Sequence, residues 1–110
     1  MLPQELRLTR KADFDAAIAT GRRWGSQYLS LRTSPNGRDL SRIGFAVSKA
    51  VGNSVVRNRV KRRLREIVRQ AGVVPGYDVV VSARPSAAEV PFQGLKADFL
   101  ALLERAKMRA

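Results

Sequence analysis

Hydrophobic positions change period along the chain, and each change predicts an element. Phe14, Ala17 and Ile18 recur at spacings of three and four. This predicts a first helix from position 9 or 13 to 20, capped by Thr9 or Asp13 and stopped by Gly21. Over 27–33 the period falls to two: Leu29 and Leu31 point one way, and Tyr28, Ser30 and Arg32 point to a wetter side. Pro35-Asn36-Gly37 signals a turn. Positions 43–48 alternate by size, so that Ile43, Phe45 and Val47 fill one face of a strand while Gly44, Ala46 and Ser48 leave the other low. Gly52-Asn53-Ser54 breaks the chain and caps a second helix over about 55–70. Its apolar stripe is Val56, Val60, Leu64, Ile67 and Ala71, which share about one-fifth of the circumference at ~100° per residue. Gly72 and Pro75-Gly76 end it. The β-branched run over 78–83 reads as a buried strand. Pro91 opens a last helix whose packing face is Leu95, Phe99, Leu102, Leu103 and Ala106.

The expected order is helix, strand, strand, helix, strand, helix, with room for a short extra strand at Arg22-Arg23-Trp24. This is an α+β domain with helices layered on a mixed sheet. A chain of 110 residues makes one domain, 1–110. It contains no cysteine and no histidine, which removes thiolate metal sites, disulfides, the usual general base and the commonest metal ligand. No run approaches the ~18 apolar residues of a membrane span. Met1 to Glu5 lacks the pattern of a signal peptide, so a cytoplasmic protein is expected.

Charge changes the picture most. The net charge is +12, and such a field steers a protein to polyanions and holds it there by counterion release. The charge concentrates in Arg57-Asn58-Arg59-Val60-Lys61-Arg62-Arg63-Leu64-Arg65, continued by Arg69, with Glu66 as the sole acid in the block. On a wheel with Val56 at zero, Arg57, Lys61 and Arg65 form one row at about 100–180°. Asn58, Arg62 and Arg69 cluster at about 200–240°, and Arg59 and Arg63 at about 300–340°. Cations thus wrap what the core leaves uncovered. Like charges four apart repel by a few tenths of a kcal/mol per pair, and a bound phosphate backbone would offset that strain. Guanidinium forks suit phosphate oxygens and stack on bases.

Stacking platforms for unpaired bases are few. Phe14, Ile18 and Tyr28 are candidates for an apolar-aromatic groove, although Phe14 and Ile18 equally fit a core pattern. Lys49, at a strand end before Gly52, is placed to reach a ligand or to lie on the surface.

The string from Arg42 to Glu66, with Val47-Ser48-Lys49-Ala50-Val51-Gly52-Asn53 leading into Arg57-Asn58-Arg59-Val60-Lys61-Arg62-Arg63-Leu64-Arg65-Glu66, strongly resembles the bacterial ribonuclease P protein subunit. Leu6 to Phe14 is similar to that family's opening helix, and Asp78 to Pro85 to its last core strand. The resemblance implies a two-layer α/β sandwich of the ribosomal protein S5 domain 2-like type, with a left-handed crossover through the arginine-rich helix. It implies a monomeric partner of a catalytic RNA, the two together removing the 5′ leader of precursor tRNA. The RNA and its Mg2+ ions would carry the hydrolysis, with no membrane and no DNA involved. By position, Arg57, Asn58 and Lys61 resemble residues that edge the leader cleft, with Lys49 beside them, and Phe14, Ile18 and Tyr28 match its floor. Arg59, Arg62, Arg63, Arg65 and Arg69 resemble contacts to the catalytic RNA. Ile18 stands where the family often has Phe, and Ala50 where it often has Lys.

Two other classes compete. A ribosomal or scaffolding protein needs basic residues but not this joined motif. A DNA reader would lay its helix in a major groove, yet this helix is cationic on too many sides to read one groove.

Overall fold

The computed structural model describes residues 7–109. The elements are α1 (Lys11–Thr20), β1 (Arg22–Gly25), β2 (Leu29–Pro35), β3 (Arg42–Ala46), α2 (Ser54–Ala71), β4 (Tyr77–Ala83) and α3 (Phe92–Arg105). Short 3₁₀ turns at Lys49–Val51 and Pro85–Ala88 precede α2 and α3. The sheet order is β1-β2-β4-β3. β2 pairs antiparallel with β1 and β4, whereas β3 and β4 are parallel neighbours. A parallel pair needs a long crossover, and α2 is that crossover. The expected mixed α+β architecture and the extra strand at Arg22 are both present.

Register explains the two faces. Leu31, Val81 and Phe45 form one row across the sheet, and Thr33, Val79 and Ile43 the next. This side carries the main core, in which Val60, Leu64 and Ile67 of α2 and Leu95, Phe99, Leu102 and Leu103 of α3 pack on Leu29, Leu31, Val79 and Val81. The other side carries the rows Arg32–Val80–Gly44 and Ser34–Asp78–Arg42. Here α1 covers part of the sheet through a smaller cluster of Leu8, Ala17 and Val80, joined by Phe14 and Ala46. The packed two-layer body is thus the sheet with α2 and α3, and α1 leaves the rest of the second face open.

Local details depart from the sequence expectation. α1 begins at Lys11 after Arg10, with no side-chain cap. Neither Thr9 nor Asp13 caps it, because Asp13 lies within the first turn and accepts from Arg42 instead. β2 runs on to Pro35, opposite Tyr77. β3 stops at Ala46, since the chain turns at Ser48 to bury Val51. α2 agrees closely: the Asn53 side chain accepts from the Val56 N–H at 3.0 Å, and Gly72 ends the helix at φ 73°, where a side chain would be strained. Val68 is also buried, which widens the stripe.

Arg42 fastens α1 to the sheet. Its Nε and Nη2 donate to the two carboxylate oxygens of Asp78 at 2.9 and 2.7 Å, and its Nη1 donates to Asp13 at 3.1 Å. Burial alone would raise the Asp78 carboxyl, but the hydrogen bonds from Arg42 and Asn36 outweigh it and hold it below the usual range. The hydrogen bond to Asp78, helped by Asp13 and opposed by burial, raises the Arg42 guanidinium. No helix among the described residues is long and apolar enough to cross a membrane.

Candidate nucleic-acid interface

The low face of β3 makes the site. Gly44 has no side chain, and the Phe14 ring occupies the space above it. A Cβ on Gly44 would stand 2.8 and 2.9 Å from the Cε atoms of that ring, so glycine is needed for the close approach. Beyond the ring, Arg7 bridges to Ile43 and the Leu8 N–H donates to the Ile43 carbonyl at 2.8 Å. This segment lies along the β3 edge. Across the gap stand Lys61 and Arg65, one turn apart on α2. Together these elements enclose a cleft of about 210 Å³ whose lining includes Phe14, Arg7, Lys61 and Arg65 and no acid.

The wheel row of Arg57, Lys61 and Arg65 therefore faces the cleft side of α2, and two of its three members line the cleft. Arg57 is half-buried and its Nε has no hydrogen-bond partner among the described residues. A buried N–H without an acceptor costs ~1–3 kcal/mol. Arg65, which the resemblance gives to the catalytic RNA, stands beside Lys61, as its place in the wheel row implies.

The opposite shoulder is engaged differently. Arg59 donates to the Ala88 carbonyl and Arg63 to the Val90 carbonyl, each at 3.1 Å. These bonds pin α2 to the link between β4 and α3. Asn58 and Arg62 between the shoulders are exposed. Arg69 is exposed too, but it forks onto Glu66. Hydrogen bonds from Arg69 and then Gln70 pull the Glu66 carboxyl down to about 2, so this pair stays ionised and part of the cation is neutralised.

The remaining candidates scatter. Ile18 is 40% exposed on the outer part of α1, and its carbonyl accepts from Arg32 at 2.9 Å. Lys49 is exposed on the 3₁₀ turn before α2. Tyr28 packs against the edge of the main core and lines a separate shallow groove with Ser86, Glu89, Val90 and Pro91. The structure thus brings Phe14 and Lys61 together and leaves Tyr28 outside their cleft.

Arg7 and Arg42 were not singled out from the sequence as site residues. Arg42 and Asp78 are lone charges near the starts of two otherwise uncharged strands, a hint that becomes informative once parallel pairing places them opposite each other.

Among the described residues no group of three or more His, Cys, Asp or Glu could hold a metal ion. Asp13 and Asp78 are bonded to Arg42, and Glu66 to Arg69.

Comparison with known proteins gives one consistent match. The model of a family described as Ribonuclease P matches residues 2–107. The "Ribonuclease P protein component" of Acidothermus cellulolyticus is 44% identical over 109 residues, covering 96% of this chain and 91% of its own. That of Roseiflexus castenholzii is 43% identical over 103 residues, covering 91% and 84%. Among solved structures, the RNase P protein from Staphylococcus aureus superposes with a TM-score of 0.88 at 28% identity, covering 96% of this chain and 98% of that one. The RNase P protein from Thermotoga maritima gives a TM-score of 0.83 at 31% identity, covering 90% and 96%.

Proposed function

The chain belongs to the ribonuclease P protein family, and on that premise we propose how its surface serves the enzyme that matures the 5′ end of tRNA. It is a component of ribonuclease P and not a ribosomal or scaffolding protein, and its partner is the RNA of that enzyme. Its place of work is the cytoplasm.

Our reading of the surface is a division of α2. The cleft takes the unpaired 5′ leader of precursor tRNA: a base rests on the Phe14 ring, and flanking phosphates meet Lys61, Arg65 and Arg7. Arg57, Asn58 and Lys49 extend this contact around the start of α2. The exposed Arg62 and Arg69 face the catalytic RNA. Arg59 and Arg63, held by backbone carbonyls, set the pose of the helix against both. The observation that carries the reading is the Phe14 ring and three cations around a single cleft lined by no acid. Aromatic stacking and fixed cations are how proteins hold unpaired nucleic acid.

The chain offers positioning rather than chemistry. It has no histidine or cysteine, and its acids around the sheet and α2 are bonded to arginine. These residues do not fit a magnesium site, so phosphodiester hydrolysis is assigned to the RNA and the Mg2+ ions it holds. The protein's part is to fix the substrate and to neutralise phosphates where RNA strands converge.

The test is reconstitution with the ribonuclease P RNA of the same source. Added protein is expected to speed precursor cleavage at low magnesium; no change in affinity or rate would overturn the reading. Lys61→Ala should weaken precursor tRNA more than mature tRNA, whereas equal losses would remove Lys61 from the leader site. Arg62→Ala should weaken assembly and flatten its salt dependence by up to about one unit of slope. An unchanged slope would exclude a phosphate contact there.

A further inference from the structure

Aromatic rings and cations meet a second time at the other edge of the sheet. Trp24 lies on β1, opposite Leu31, and Tyr77 starts β4, opposite Pro35. α3 ends at Arg105, before it would cover this corner. The chain then turns through Lys107, whose φ of 57° is the one positive value at a non-glycine among the described residues. Met108 follows and is buried: its N–H donates to the Leu103 carbonyl at 2.8 Å, and its carbonyl accepts from Val74 at 2.9 Å. The turn is thus stapled down, and it leaves a cavity of about 400 Å³.

The lining has the composition of the leader cleft without sharing a residue with it. Trp24 and Tyr77 are apolar walls, both half-buried, and Met108 is at the base. Arg22 and Lys107 are exposed cations of the same lining, which contains no acid. The Arg22 guanidinium already lies over the indole, 5.5 Å from the ring centroid. The volume falls in the range of small-ligand sites, ~300–1,000 Å³. A merely structural corner has no need to hold two partly exposed rings under two cations. The positive φ of Lys107 belongs to the left-handed cap that ends α3, in which the Lys107 N–H donates to the Glu104 carbonyl at 3.1 Å, and this cap fixes where the Lys107 side chain leaves the backbone.

We propose that this cavity is a second RNA-binding site, one that takes a single unpaired nucleotide. The base lies against Trp24 and Tyr77, and its phosphate is held by Arg22 and Lys107. The site rests on the reading of this chain as an RNA-binding subunit, but it is separate from the leader cleft. Three interstrand steps of ~4.8 Å, about 14 Å, lie between β1 and β3. One protein can therefore hold RNA at both edges of its sheet.

The chain supplies its own reporter, because Trp24 is its single tryptophan. Intrinsic fluorescence is recorded at fixed ionic strength with sulfate present throughout. A short single-stranded oligoadenylate is expected to quench Trp24 saturably. An abasic oligonucleotide of the same charge should not. The double variant Arg22→Ala/Lys107→Ala should weaken the quenching by at least about fivefold, with an unchanged far-UV circular dichroism spectrum. Lys61→Ala should leave it intact. The proposal is overturned by absence of quenching, by equal quenching with the abasic strand, or by equal loss in Lys61→Ala. Ribonuclease P RNA alone and precursor tRNA alone are further arms: the one that quenches is the source of the nucleotide, and quenching by neither overturns the proposal. If stimulation of cleavage persists while quenching fails, this site alone is refuted and the function stands.

Discussion

Replacing Arg42 by Met asks how much the fold depends on a single guanidinium. Arg42 forks onto Asp78 at 2.7 and 2.9 Å and reaches Asp13 at 3.1 Å, with side-chain exposures of 16% for Arg42 and 13% for Asp78. Met keeps the stem but leaves Asp78 with the Asn36 amide, which donates to it at 3.1 Å. Removing one partner of a buried pair costs ~3–5 kcal/mol. The Asn36 bond and the residual solvent contact put this case near the low end, about 3 kcal/mol. Against a total of ~5–15 kcal/mol, that lowers the melting temperature by roughly 12 °C for a domain of this size.

The pH dependence carries a sign. In the parent the Asp78 carboxyl lies below its unfolded value, so its contribution is present above the ordinary carboxylate range and is lost as pH falls through the lowered native value. In Arg42→Met burial dominates and lifts the native carboxyl above the unfolded one. The folded form then binds the proton more tightly, and the destabilisation shrinks as pH falls. Thermal and urea unfolding by far-UV circular dichroism, from neutral to acid in sulfate, measures both effects. A loss under about 1 kcal/mol at neutral pH, or a gap that stays constant into acid, would refute the reasoning. Arg42→Lys keeps the charge but not the fork and should recover only part of the loss.

Gly44→Ala should push the Phe14 ring out into the cleft. Because that ring is only half-buried, the stability cost is about 1 kcal/mol, while selectivity for precursor over mature tRNA falls. Pairing it with Phe14→Leu should relieve the stability cost, and strict additivity in denaturation curves would argue against the contact. At low salt the +12 charge works against folding. Sulfate should therefore raise the melting temperature and helical signal of the free protein, and identical melts with and without it would dismiss self-repulsion as a factor.

Periodicity recovered what depends on periodicity. The stripe of α2, its Asn53 cap and the Val79 to Val81 strand were all evident, because each is a local pattern that one buried face imposes. It also separated the Arg57, Lys61 and Arg65 row from Arg59 and Arg63. A wheel gives angles, however, and not neighbours. That one shoulder meets the β3 edge, and the other meets the carbonyls of Ala88 and Val90, depends on the crossover from β3 to β4. Tyr28 shares strand parity with Arg32, yet it sits at the strand's entry, where the 85–91 link comes alongside. Thr9 and Asp13 are good capping types, but Asp13 gains more from Arg42 across the sheet than from the local backbone. The motif around Arg57 points to the family, and tertiary contacts fix which cations line the cleft and which bond to backbone carbonyls.

The open sides of the sheet have a consequence for the protein before it meets RNA. An unpaired strand edge is a template for another chain. Here β3 is shielded by the segment that bridges Arg7 to Ile43, and β1 presents the exposed pair Arg22 and Arg23. A second copy pairing along β1 would bring arginines against arginines, a costly register in any sheet. The cations of β1 thus also disfavour edge-to-edge pairing between copies of this chain.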